Sequence, residues 1–432
     1  MNLAIKLSKV ELKKSKEAVT GKMGLSWLMH AMKDFGVEKM ISDEYVAGSN
    51  REIGYFQKIM AAVMTRVGGG DRVEDVENLR VDRGLLESLG WNTMMSADTY
   101  LNLIKDKRSN AKIRRVNNEL VIKALRGLEE DELTYDNDAT YFDSDKESAA
   151  YSYQKSKQFS GLMGCIVELG MINTVDYRRG NVSPQSGIIN QLKKTVAQVK
   201  TAGKKIKYFR SDSAAYKMQV MTYCDVQGIK YFISADKDNA VRRTIEKIKT
   251  SQWGMLTDED GKSEGRQWAE TRHVMSKGFA VRMLVLRWEN PDPDLFDKSP
   301  YCYHAMVTND FQIKAMEWLK VHNGRMGTIE QQHQQVKGEL GCAYAPSHEF
   351  EKNRGYFLLG ILAFNMLAIL KRYYMGSSTI NWKIKTLRYH FINVCGKIVK
   401  SGRRFYCKII NVTDEVFELY TNCKSKLNCY AY

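Results

Sequence analysis

Three acidic residues stand in settings that suit one kind of chemistry. Asp138 lies in a strand-like run, Leu133-Thr-Tyr-Asp-Asn-Asp-Ala-Thr-Tyr141, and Asp212 ends a second, Ile206-Lys-Tyr-Phe-Arg-Ser-Asp212. Glu330 lies on a helix-like run, Gly327-Thr-Ile-Glu-Gln-Gln-His-Gln-Gln-Val-Lys337. Two strand-end aspartates and a helical carboxylate can hold a pair of Mg²⁺ ions, with Mn²⁺ as a substitute. Such a pair clamps a phosphoryl group for in-line attack. Singly each carboxylate says little, since an Asp closing a strand is commonly a turn or cap residue and a helical Glu commonly faces solvent. Together they are informative, because sheet elements surround the first two and a helix underlies the third. Asp136 rivals Asp138 for the first position, because residues two apart on a strand point to the same side.

The elements that must position these residues follow from hydrophobic period and turn signals. Through about residue 130 the pattern is helical: Leu25, Leu28, Met32 and Phe35 form one stripe closed by Gly36. Phe56, Ile59, Met60, Val63, Met64 and Val67 form another before Gly68-Gly-Gly70, and a third follows the cap Ser96-Ala-Asp98. From Leu133 short apolar runs replace these stripes. Paired strands are expected over 161–169 and 171–177, then a helix over 185–201, the strand ending at Asp212, a helix over 214–228 and a strand over 229–234. Strands followed by alternating helices and strands indicate a mixed sheet with helices packed on it. Between 251 and 309 the pattern is all strand, which reads as an insertion separating Asp212 from Glu330. The expected segments are a helical DNA-binding or dimerisation region (1–130) and a catalytic core in two parts (131–248 and 311–375). A β-rich insertion (249–310) splits that core, and a basic DNA-contacting end (376–432) follows it.

Charge narrows the partner. Lys and Arg outnumber Asp and Glu by 66 to 50 in 432 residues, an excess that favours a polyanion through phosphate contact and counterion release. The last 62 residues carry twelve Lys/Arg against three Asp/Glu. Aromatic residues are interleaved there, as in Arg403-Arg-Phe-Tyr-Cys-Lys408, which suits phosphate contact with stacking. Arg403, Arg404 and Lys408 are therefore candidate DNA contacts, and the competing reading is a basic hairpin packed on the core. No membrane association is expected. The longest apolar run, from Tyr356 to Leu370, falls short of the roughly 20 residues a span needs and carries Asn365. Residues 1–20 have no unbroken apolar core of the kind a secretion signal needs. The eight cysteines include no C-x-x-C pair, so scattered reduced thiols in a cytoplasmic protein are expected. An irregular metal site of the last three cysteines near His390 is the alternative. No phosphate loop, H-E-x-x-H zinc motif or nucleophile elbow is visible.

The surroundings of Glu330 carry a family likeness. His322-Asn-Gly-Arg325, then Glu330, then Lys337 resembles the Tyr, Arg, Glu, Lys signature of bacterial insertion-sequence DDE transposases. Here His322 stands at the Tyr position, and four residues rather than three separate Arg325 from Glu330. Asp136-Asn-Asp-Ala-Thr140, Arg179-Gly-Asn181 and Arg210-Ser-Asp-Ser-Ala-Ala-Tyr216 resemble further motifs of the family, as do Thr308-Asn309, Asn365 and the run from Gly68 to Asp75. The likeness extends over most of residues 20–410.

The resemblance implies an α/β fold: a ribonuclease-H-like mixed sheet flanked by helices, with an all-β insertion and an N-terminal helical domain. It implies cut-and-paste transposition with Asp138, Asp212 and Glu330 as catalytic and metal-binding residues and two Mg²⁺ ions as cofactors. The family motif sets the catalytic Asp directly before a small residue and Thr, which selects Asp138 over Asp136. Arg325, Lys337 and His322 would contact DNA, with Glu330 and Lys337 sharing a helix face two turns apart. Double-stranded DNA, both terminal inverted repeats and target, is the implied partner, bound by a homodimer beside the bacterial nucleoid. An unstacked terminal base could settle on Trp268 or Trp253, a contact worth about 1–3 kcal/mol. Trp288 reads as core, and packing of all three inside the insertion is the competing reading. Two other functions use the same features: a metal-dependent nuclease without strand transfer, and a catalytically silent DNA-binding protein derived from a transposase.

Overall fold

Strand β1 (Glu132–Asp143) organises the molecule through the two-residue alternation of its side chains. Tyr135 and Asn137 face one side, where Tyr135 stacks on Phe209 and Asn137 donates to Gln191 of the helix Ile188–Thr201. Asp136 and Asp138 face the other side, toward the segment that carries Glu330. The computed structural model describes residues 10–15, 17–42, 53–257, 263–291 and 299–429. It divides into two compact units, one of Ile104–Ile369 and one of Met1–Leu103 with Leu370–Tyr432.

The first unit is built on one sheet. After β1 come β2 (Ala150–Tyr151), β3 (Lys157–Ile166), β4 (Met171–Arg179), β5 (Lys205–Ser211) and β6 (Lys230–Ser234). β7 (Gly254–Thr257), β8 (Ser263–Val274), β9 (Ala280–Glu289) and β10 (Tyr301–Thr308) complete it. β4, β3 and β1 form an antiparallel meander, and β5 and β6 then join in parallel. The helices Ile188–Thr201 and Met218–Gln227 make the crossovers that parallel pairing requires. The order β4-β3-β1-β5-β6 is that of a ribonuclease-H-like sheet.

The strands of 249–310 do not make a sheet of their own. β10 pairs antiparallel with β6 through Met306–Thr308, and β9, β8 and β7 extend the same sheet outward. Left uncovered, β6 would present a bare edge of backbone donors and acceptors, which β10 satisfies. Phe232, Leu284, Met306 and Trp318 fill the core at this junction.

The helical segment expected to end at residue 130 divides earlier. The helix Lys107–Arg126 belongs to the sheet unit, because its apolar stripe (Ile113, Val116, Leu120, Val121, Ala124) packs against the helix Phe350–Ile369 and β4. Phe350–Ile369 is buried at every position over 355–367, as expected of a core helix. The Asn365 that interrupts its apolar run accepts from Ile172 N and donates to Ile172 O and to Asn117. That amide satisfies backbone groups of β4 that the sheet leaves unpaired.

In the second unit the basic C-terminal end packs with the N-terminal helices rather than standing apart. The stripes expected of Met23–Asp34 and Tyr55–Val67 are buried, and Gly36 ends the first with φ +84. β11 (Gly396–Ser401) and β12 (Arg404–Ile409) form a hairpin tied to Thr20 through Gly396. Tyr420, on the helix Asp414–Lys426, donates to Phe391 O and packs its ring on Trp27. All eight cysteines are free thiols, and His390 packs against Trp382 and Tyr389.

Candidate active site

β1 and β5 lie side by side with Asp136 level with Arg210. The Arg210 guanidinium donates Nε to one oxygen of Asp136 at 2.6 Å and Nη2 to the other at 2.7 Å. The Thr328 hydroxyl donates to the same carboxylate. Asp136 has no exposed surface, so its oxygens are committed inside the protein. Asp138, two residues on, lies nearer the surface with its side chain 16% exposed. One of its oxygens accepts from Ala139 N at 2.8 Å and the other faces Arg325 Nη2 at 3.3 Å.

Asp212 closes β5 and caps the turn Ser213–Ala215 by accepting from Ala214 N. Glu330 is exposed on the first turn of the helix Ile329–Gln334. The charges of Asp212 and Glu330 both reach Asp138. Burial pushes the Asp138 carboxyl up to about 7; Arg325 opposes the rise, and Asp212 and Glu330 add to it. Among the described residues, no three acidic, His or Cys side chains close to coordination distance of one point. The triad is thus coupled through its field rather than already gathered. Its donor set, carboxylate oxygen alone in a site crowded with negative charge, fits a hard divalent cation, with Asp138, Asp212 and Glu330 as its holders.

A pH dependence follows. Between about pH 4 and 7 the folded protein keeps a proton on Asp138 that the unfolded chain has lost. Stability without metal therefore falls as pH rises through that window and levels off above it. Asp138→Asn removes the charging cost and should be more stable than the parent at pH 8, by up to about 4 kcal/mol at 1.36 kcal/mol per pH unit. Metal binding has the opposite sign, since the ligand must lose its proton. Mn²⁺ affinity should rise about tenfold per unit up to pH 7 and then flatten. Urea denaturation and Mn²⁺ titration across pH 5–8 test both slopes, and parallel parent and Asp138→Asn stability curves would refute the assignment.

Arg325 is buried on Asp138 and so sits beside the triad, although not yet on a surface that DNA could touch. Lys337 lies on the stretch Gln335–Glu339, over which the helix changes from α to π. Its Nζ lies over the Phe142 ring at 5.5 Å, near Asp143 at the far end of β1. His322, like Arg325, lies inside the protein. It is buried, its Nε2 pairs with Ser234 Oγ at 3.1 Å, and its ring lies 5.8 Å from His304. Burial first, then Arg325, holds it down at about 4, leaving it uncharged near neutral pH.

Trp268 is half-buried on β8, across from Gly254 and Leu286, and packs against the Phe232–Trp318 core. Its indole packs over Gly254, where even a Cβ would make ordinary contact, 3.4 Å from Nε1. The competing core reading therefore describes Trp268 better than a free stacking platform does. Trp253 lies under the Arg287 guanidinium at 4.0 Å, and Trp288 packs against the same core as Trp268. Arg403, Arg404 and Lys408 are exposed on the β11–β12 hairpin. Arg404, Tyr406 and Lys408 share one face with Lys397, while Ile398, Cys407 and Ile409 share the other.

The sequence reading passed over the roles of Arg210 and Thr328. A signal was present: Arg210 precedes Asp212 by the spacing with which Asp136 precedes Asp138, so parallel pairing of the two strands sets cation against anion.

A family model described as Transposase DDE domain group 1 matches residues 4–427. Among solved structures, the cryo-EM structure of a piggyBac transposase synaptic complex with hairpin DNA is similar, with a TM-score of 0.45 and 11% identity. That alignment covers 95% of this chain and 81% of the other. No curated protein matches the chain.

Proposed function

The chain belongs to the transposase DDE domain group 1 family, and from that premise we propose that it cuts DNA at transposon ends and joins those ends to a target by a cut-and-paste route. The observation that supports this reading is the placement of Asp138 on β1, Asp212 directly after β5 and Glu330 on the helix that Thr328 ties to Asp136, with Asp212 and Glu330 both adding to the cost of charging Asp138.

Cleavage and joining are the same displacement at phosphorus, first by water and then by the freed 3′-hydroxyl, so one site serves both. Two Mg²⁺ or Mn²⁺ ions held by the triad would supply an activated nucleophile and a counter-charge for the phosphoryl oxygens. The strands fix Asp138 and Asp212, and Glu330 joins them from its own helix. Arg325 keeps a positive charge beside Asp138, where a scissile phosphate would need one. Double-stranded DNA is the partner, both terminal inverted repeats and target. A homodimer bound to two ends and a place beside the bacterial nucleoid complete the reading.

The test is an assay for joined products. A plasmid carrying the DNA that flanks this gene, a target plasmid, the full-length protein and Mg²⁺ should yield sequenced junctions. Cut ends without junctions would instead mean a nuclease, and binding without cutting a silent DNA-binding protein.

The basic hairpin makes a separate prediction. Replacing Arg403, Arg404 and Lys408 together by Gln should weaken DNA binding at low salt and flatten the log–log salt dependence, by about 0.9 for each lost phosphate contact. Filter binding from 50 to 300 mM KCl measures it, and an unchanged slope would remove the hairpin from the DNA surface.

A further inference from the structure

Two residues ahead of each carboxylate of the triad stands a polar residue: Asp136 before Asp138, Arg210 before Asp212, Thr328 before Glu330. These three close on one another beneath the carboxylates. Arg210 holds both oxygens of Asp136 and also donates Nη2 to Thr328 Oγ1 at 3.3 Å, while Thr328 donates to Asp136. The cycle joins β1, β5 and the residue from which the Glu330 helix starts. Arg210 Nη1 reaches further, to Val321 O at 2.7 Å at the end of the helix Ala315–Asn323. Gly324 leaves the path open, because a Cβ there would collide with that same Nη1.

We propose that Asp136, Arg210 and Thr328 are positioning residues: a fastener that sets the Glu330 helix against the two aspartate strands and thereby the affinity of the triad for a divalent cation. The inference rests on the reading of Asp138, Asp212 and Glu330 as metal ligands. Its physical basis is geometric. On a strand, residues i and i+2 share a face about 7 Å apart, so locking 136 to 210 fixes the relative height of 138 and 212. Thr328 does the same for Glu330 at the start of its helix. A buried ion pair gives little net stability yet holds its partners to one arrangement, which suits a site whose ligands repel one another. Outer residues that orient ligands in this way typically change metal affinity by about 10–100-fold when replaced.

Thr328→Val is the informative variant, since it leaves the Asp136–Arg210 pair intact and removes only the tie to the Glu330 helix. In full-length protein, titrated with Mn²⁺ and read by electron paramagnetic resonance of the free ion, it should bind at least about tenfold more weakly than the parent. Thr328→Ser, which keeps the hydroxyl, should restore the parent affinity. DNA binding in EDTA and the melting temperature should stay close to the parent's in both. Should Thr328→Val melt at the assay temperature, the smaller Thr328→Ala takes its place. A folded variant lacking the hydroxyl that binds Mn²⁺ as the parent does would overturn the fastener alone. A parent protein with no Mn²⁺ site sensitive to Asp138→Asn would overturn the metal reading beneath it.

Discussion

Asp138→Asn, Asp212→Asn and Glu330→Gln should each lower DNA cleavage by on the order of 10³-fold or more while leaving DNA binding in EDTA nearly unchanged. The size follows from what a held cation contributes, several kcal/mol at 1.36 kcal/mol per factor of ten. Binding survives because its free energy comes mainly from Lys and Arg contacts with phosphates, and none of the three is such a contact. Asp138→Asn carries the sharpest version, since burial and its two anionic neighbours already make its charge costly. Asp136→Asn belongs to another class. Its carboxylate has no exposed surface and is held by Arg210 and Thr328, so its loss should register first as lost stability. Gel-based cleavage and electrophoretic shifts on the same preparations separate the two. If Asp136→Asn is inactive yet as stable as the parent, and Asp138→Asn still cuts, Asp136 and not Asp138 is the first ligand.

Much of this site was legible because it rests on local order. β1 and β5 announce themselves by apolar and aromatic runs around an Asp. Asp212 does follow the end of β5, whereas β1 runs on to Asp143, so Asp138 is a mid-strand residue and not the strand end expected of it. What was not legible depends on partners far away in sequence. His322 aligns with a motif position, yet its surroundings are set by Ser234 and His304 on β6 and β10, which only the paired sheet brings to it. The helix that carries Glu330 widens to a π turn over Gln335–Glu339 without any Gly or Pro to mark its start. The alternating pattern of 251–309 correctly gave strands, but a period of two cannot say which edge a strand will find. Here β6 offered one. The helix Lys107–Arg126 shows the same limit: its stripe guaranteed a partner without naming it.

Arg210→Met should destabilise the protein by about 3–5 kcal/mol in chemical denaturation, because it leaves Asp136 charged, buried and unpaired. Its side chain is 7% exposed and Asp136's is fully buried, so water cannot replace the lost guanidinium without opening the sheet beneath the triad. Adding Asp136→Leu should recover most of that loss, since exchanging a whole buried pair for apolar side chains is often neutral or better. Thr328 would not be stranded in the double variant, for its hydroxyl already lies 3.3 Å from Gly324 O and 3.2 Å from Arg325 O. The double-mutant cycle therefore isolates the coupling between the two charges. If the double variant is no more stable than Arg210→Met alone, the cost was lost packing around a long side chain rather than an orphaned carboxylate. A recovered fold that still binds Mn²⁺ poorly would be the more telling result. It would separate the two properties of this pair, small in net stability and large in where it puts Asp138, Asp212 and Glu330.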